Sequence, residues 1–126
     1  MKGVLVDTSV WVAHFRQRND ALVRLLSLDL VMVHPSILGE IACGTPPLRA
    51  QTLGDLNGLQ HVQQASLQEV MDFIDRERLY GLGCGWIDLQ LLASTLITQG
   101  VELWSMDKRL CMLAERFGVL HQATLH

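Results

Sequence analysis

Residues 4–12 read VLVDTSVWV, and the place of the one charge in that run, the carboxylate of Asp7, decides the fold. Val4, Leu5 and Val6 form a short apolar stretch rich in β-branched side chains, the pattern of a strand buried on both faces. Thr8 and Ser9 then supply a hydroxyl turn, and a helix starts at about Ser9. A strand that ends on an acid and passes straight into a helix is the opening of a βαβ unit.

The rest of the chain continues this alternation. Asp20 to Ser27 reads as a helix, and Leu30 to Val33 as a second strand closed by His34-Pro35, with Ser36 as the cap of a helix through about Cys43. Gly44 to Pro47 is a loop before a helical stretch toward Leu56. Asn57-Gly58 is a turn, and Leu59 to Val62 a weak strand. Ser66 and Glu69 have capping-box spacing, followed by Leu67, Val70, Met71 and Ile74 at helical intervals. Gly81 to Gly85 interrupts, Ile87 to Ile97 resumes as a helix, Val101 to Trp104 is a buried-type strand, and Asp107 opens a last helix ended by Gly118. Strands separated by helices predict a three-layer α/β/α sandwich with a mostly parallel central sheet, in which ligands bind beyond the carboxyl ends of the strands.

Length and composition set the bounds. A chain of 126 residues with 49% hydrophobic and 18% charged residues reads as one domain, 1–126, able to bury a core without cross-links. Cys43, Cys84 and Cys111 have no paired spacing and read as reduced core thiols. With no signal-peptide pattern and no apolar run long enough to span a bilayer, a cytoplasmic location is expected. The net charge of −3 argues against a generic nucleic-acid binder. Gathering four of the 13 acids at one cation would leave nine acidic against ten basic residues, so a polyanionic substrate stays possible.

Four acids fall where a parallel sheet would converge them. Asp7 follows the first strand, Glu40 lies one turn into the helix after the second, and Asp107 follows the last strand by two residues. Asp88 sits in a helix that looks apolar nearly all round, on a face with Leu91, Leu92 and Thr95, so its carboxylate is expected to head into protein. Each has an ordinary reading as well: Asp7 and Asp107 as helix caps, Glu40 as a solvated residue, Asp88 as an arginine's partner. The joint pattern favours a shared cation, since clustered carboxylates repel one another without one. Oxygen donors without histidine or thiolate point to Mg²⁺ or Mn²⁺.

The segments VLVDTSVWV, SILGEIACG, GLGCGWIDLQLLAS and LWSMDKRL occur in the order and spacing of PIN-domain ribonucleases, and the chain most closely resembles the VapC toxins of bacterial toxin–antitoxin pairs. The resemblance spans Gly3 to about Gly118. It implies that Asp7, Glu40, Asp88 and Asp107 form the catalytic, metal-binding quartet, with Thr8 or Ser9 and Ser105 as hydroxyls that orient carboxylates or water. It also implies a homodimer, an antitoxin whose C-terminal segment lies over the active groove, and RNA products with 5′-phosphate and 3′-hydroxyl ends. Lys108 and Arg109 stand where some relatives carry a further acid.

The expected activity is therefore Mg²⁺-dependent endoribonuclease, with Asp7 and Asp88 as direct ligands and Glu40 and Asp107 bound directly or through water. Lys108, Arg109, Arg49, Arg16 and Arg18 are candidates for phosphate contacts, or simply solvated charges. His14, His34, His61, His121 and His126 show no ligand spacing. Trp11, Trp86 and Trp104 offer stacking surfaces, although Trp11 and Trp104 flank strands and fit a core or dimer interface better. Aspartyl phosphoryl transfer is a rival chemistry, but it would need an acidic pair or Asp-x-Asp after the first strand, where this chain has Asp7-Thr8-Ser9. A PIN-like module that binds RNA or protein without cutting is the non-enzymatic alternative.

Overall fold

The structure, a computed structural model, describes residues 2–123; His126 lies outside them. In chain order the elements are β1 (Gly3–Val6), α1 (Thr8–Arg16), α2 (Asp20–Ser27), β2 (Val31–Val33), α3 (Pro35–Ala42) and α4 (Arg49–Asn57). They continue as β3 (Gln60–His61), α5 (Leu67–Glu77), α6 (Trp86–Ile97), β4 (Val101–Trp104) and α7 (Lys108–Arg116). All strand pairs are parallel, in the order β3-β2-β1-β4, with Leu5 opposite Met32 on one side and Leu103 on the other.

The chain steps outward from β1 to β2 to β3, then returns across both to lay β4 on the far side of β1. Right-handed crossovers put α1 to α4 on one face and α5 to α7 on the other, giving the expected α/β/α layering. The packing agrees: α1 and α4 meet α3, while α5 and α7 meet α6. At the carboxyl ends of β1 and β4 the chain departs to opposite faces. This is the switch point at which such sheets leave a crevice.

Val4, Leu5 and Val6 are fully buried, as a strand covered on both sides must be. Gly3 permits that cover, because a Cβ there would lie 2.6 Å from Met32 Sδ. Outside β4, Leu120 makes a parallel bridge to Leu103, and Val119 and His121 exchange backbone hydrogen bonds with Leu103. Buried hydroxyls on α6 are satisfied: Ser94 accepts the Ala65 N–H and Thr95 donates to Leu91 O.

Several sequence expectations need correction. The cap of α3 is His34, whose Nδ1 accepts the Ser36 N–H, so Ser36 lies inside the first turn. The capping box of α5 forms and Val70 is buried as expected, but Leu67 is 69% exposed and Met71 45% exposed, and Phe73, packed against Phe117, is buried in their place. The weak strand contracts to Gln60–His61, the residues in register with Met32 and Val33, and Val62 adds one further N–H bond to Val33 O. α6 is not enclosed all round: Trp86 and Ile97 at its ends are each 39% exposed. The cysteines are free thiols but not core residues, Cys43 being exposed and the other two half-buried.

Candidate active site

Asp7 continues the line of β1, with its N–H bonded to Trp104 O across the switch point. Although Asp7 precedes α1, its side chain caps nothing. Its Oδ2 instead accepts hydrogen bonds from Ser9 Oγ at 2.7 Å and Ser105 Oγ at 2.8 Å. Those hydroxyls are themselves fixed by the backbone, since Ser9 Oγ accepts the Met106 N–H and Ser105 Oγ accepts the Asp107 N–H, both at 3.0 Å. Two amides thus set two hydroxyls, and two hydroxyls set one carboxylate oxygen. Oδ1 has no hydrogen-bond partner among the described residues, although Asp7 is buried.

Glu40 is exposed on α3, and Thr8 Oγ1 donates to its Oε1 at 2.7 Å, which ties it to the start of α1. Asp107 caps α7 by accepting the Leu110 N–H on Oδ1, so the capping reading holds for it without using its second oxygen. Asp88, the third residue of α6, is half-buried at the rim and does not point into the interior. The reason is its place in the first turn, where the helix emerges from the core.

Asp88 registers the other three acids. Burial raises the Asp88 carboxyl above its ordinary value, the charges of Asp7 and Asp107 raise it further, the Gly85 backbone amide pulls the other way, and Glu40 adds a smaller push. Nearby thiols register the same field: burial is the main force raising Cys84 and Cys111, with Asp107 contributing to both. Among the described residues no lysine, arginine or histidine nitrogen comes within ion-pair distance of these carboxylates, so Asp88 is not an arginine's partner. Equally, no group of three or more His, Cys, Asp or Glu side chains forms a ready-made metal cage among the described residues.

The candidate phosphate-binding cations differ in their surroundings. Arg49 bonds to Ala42 O at 2.6 Å and Gly44 O at 3.4 Å, capping the C-terminal end of α3. Arg18 pairs with Asp20. Lys108 and Arg16 are exposed, with no ion pair among the described residues. Arg109 lies over the turn before α6, its Nη1 donating to Gly83 O at 3.3 Å. Gly83 has φ +88, and a Cβ on it would lie 2.6 Å from that nitrogen. Sequence reasoning missed this clasp, which joins the helix that follows Asp107 to the loop that precedes Asp88. It also missed Ser36 Oγ donating to Gln90 Oε1 at 2.7 Å, a link between α3 and α6 across the crevice. Trp11 and Trp104 are buried, whereas Trp86 is partly exposed.

A parallel four-stranded sheet with Asp7 and Asp107 behind its two neighbouring strands β1 and β4, and with their charges felt at Asp88, has the frame of a PIN-type α/β protein. The comparisons refine this. Ribonuclease VapC32 of Mycobacterium tuberculosis, in strains CDC 1551 / Oshkosh and ATCC 25618 / H37Rv, is 38% identical over 116 residues, covering 92% of this chain and 94% of the relative. A crystal structure of DNA-bound VapBC from Salmonella typhimurium aligns over 95% of this chain and 96% of that one with a TM-score of 0.69; at 14% identity it speaks for the fold. No protein-family model matches the chain. The chain belongs to the VapC family of PIN-domain ribonucleases.

Proposed function

We propose that this protein is a toxin endoribonuclease that hydrolyses RNA phosphodiester bonds with Mg²⁺ or Mn²⁺, leaving 5′-phosphate and 3′-hydroxyl ends, and that a cognate antitoxin restrains it. We further propose that it works as a homodimer. The observation that supports the reading is the setting of Asp88: burial and then the charges of Asp7 and Asp107 raise its carboxyl, and among the described residues no cation pairs with it or with Asp7, Glu40 or Asp107.

The residues suit a hard cation. Asp7 offers Oδ1 and Asp107 offers Oδ2, while Asp88 carries a carboxyl whose charge is disfavoured where it stands. No three-ligand cage is formed among the described residues, and the ion we propose is one that keeps several waters and takes one or two carboxylates plus phosphate oxygens, as Mg²⁺ does. When bound, such an ion supplies positive charge against the phosphate and acidifies a water. Ser9 and Ser105 hold Asp7 in one orientation, so the site is set before substrate arrives. Thr8 holds Glu40 at the outer edge, and Lys108, exposed and without an ion pair among the described residues, can meet a phosphate.

The test is direct. The protein purified without antitoxin is incubated with RNA in Mg²⁺ or in EDTA, beside Asp7→Asn and Asp88→Asn variants. Cleavage by the wild type in Mg²⁺ alone is the expected result. Cleavage that survives in EDTA or in the variants removes the proposed chemistry, and intact RNA throughout favours the PIN-like binding module.

A further inference from the structure

A cleft of about 360 Å³ opens between the second half of α1 and the end of α3 with the loop behind it. Glu40 lines it, so the cleft is continuous with the acidic cluster. Its lining is largely apolar, with Val12 and Phe15 one turn apart on α1, Ile41 from α3 and Pro46 and Pro47 from the loop, beside the polar Glu40, Arg16 and Thr45. Arg16 stands at the rim, exposed and without an ion pair among the described residues.

The cleft is preformed. Phe15 stacks on buried Trp11 with centroids 6.1 Å apart and planes 27° from parallel, which fixes the ring. Two prolines stiffen the opposite wall, and its ends are pinned where Arg49 bonds to Ala42 O and Thr52 Oγ1 to Pro47 O. Neither bond uses a residue of the acidic cluster.

We propose that this cleft is a nucleobase subsite, which takes one unpaired base of the RNA next to the phosphate over the acids, with Arg16 neutralising the neighbouring phosphate. The proposal rests on the ribonuclease reading and deepens it. The volume lies at the lower end of the range for small-ligand sites, about 300–1,000 Å³, and a largely apolar cleft with an aromatic wall suits a π-face. Arg16, in the same lining as Glu40, supplies the positive charge that a phosphate flanking the bound base would meet. A paired base cannot enter, so the site selects single-stranded or splayed RNA.

The experiment measures binding of a labelled single-stranded 12-nucleotide RNA of mixed sequence to the Asp88→Asn protein in Mg²⁺, together with copies made abasic at each position in turn. The expected result is that one abasic position weakens binding about tenfold, as loss of one stacked base would. Val12→Arg, at a residue already 38% exposed, and Phe15→Ala should abolish that position dependence. Arg16→Gln should weaken all the RNAs alike and flatten the salt dependence. Equal affinity at every abasic position, no RNA binding at all, or position dependence that survives in Val12→Arg would overturn the subsite. So would cleft variants that leave RNA binding intact but lose the antitoxin, which would assign the cleft to a protein. Failure of the ribonuclease reading would show separately, as wild-type protein that leaves RNA uncut in Mg²⁺.

Discussion

Ser105 Oγ donates to Asp7 Oδ2 at 2.8 Å, joining the exits of β4 and β1 across 98 positions of sequence. The same hydroxyl accepts the Asp107 N–H, so one small side chain aligns two of the four acids. Its removal leaves Asp7 with Ser9 alone. Ser105→Ala is expected to fold with a stability loss of about 1 kcal/mol and to lose about 10–100-fold in activity or metal affinity. Cleavage rates over a Mg²⁺ series, beside thermal denaturation, check both parts.

Asp88 carries a carboxyl raised chiefly by burial and then by Asp7 and Asp107, so the folded protein without metal binds a proton there more readily than the unfolded chain does. Stability should therefore fall as pH rises from the ordinary value of 3.8 through the raised folded value. Asp88→Asn removes this penalty. In EDTA the variant should gain on the wild type as pH climbs through that window, and added Mg²⁺ should restore the wild type more than the variant. Denaturant midpoints across pH, with and without Mg²⁺, read this out; parallel curves for the two proteins would contradict it.

His34 is fully buried, and burial, with a smaller push from His61, lowers its imidazole below 6.5. The unfolded chain then takes up the proton first on acidification, so stability falls as pH drops below 6.5 toward the folded value. His34→Asn keeps an acceptor for the Ser36 N–H and removes the titration. Its stability should vary less over that interval, as urea titrations at successive pH values would reveal.

The clasp of Arg109 on Gly83 predicts two unequal losses. Gly83→Ala forces a side chain into a left-handed backbone and against the guanidinium, at about 1–3 kcal/mol. Arg109→Ala should cost within about 0.5 kcal/mol of stability, because the residue is exposed, while lowering cleavage through the loosened loop before Asp88. In the Arg109→Ala background, Gly83→Ala should lose only its backbone strain. A double-mutant cycle by thermal denaturation separates the two contributions.

The alternation of elements is legible in the sequence because Val4 to Val6 is an apolar run and Val101 to Trp104 a mostly apolar one, both too short for helices, with Asp7 directly behind the first and Asp107 shortly behind the second. The Ser66 and Glu69 box is legible for a local reason: all its partners lie within four residues. Where the fold chooses between faces, sequence alone does not decide. Leu67 and Met71 match the helical interval as well as Phe73 does, and only Phe117, 44 positions away in the chain, selects the buried side. A histidine cap such as His34 carries no common signature. The acids stand out by position, yet the amide-to-hydroxyl chain that orients Asp7 comes from the meeting of two strand ends. Arg109 on Gly83 and the cleft beside Phe15 likewise join segments with no local pattern to announce them.

The margins of the sheet have one further consequence. β3 is two residues long, and the outer side of β4 is met by Leu120 and its neighbours. Within residues 2–123, neither border presents a row of open amides long enough to recruit a foreign strand. The described sheet therefore offers a second copy no strand to extend, and the shortness of its own border strands guards the fold against fibrous stacking.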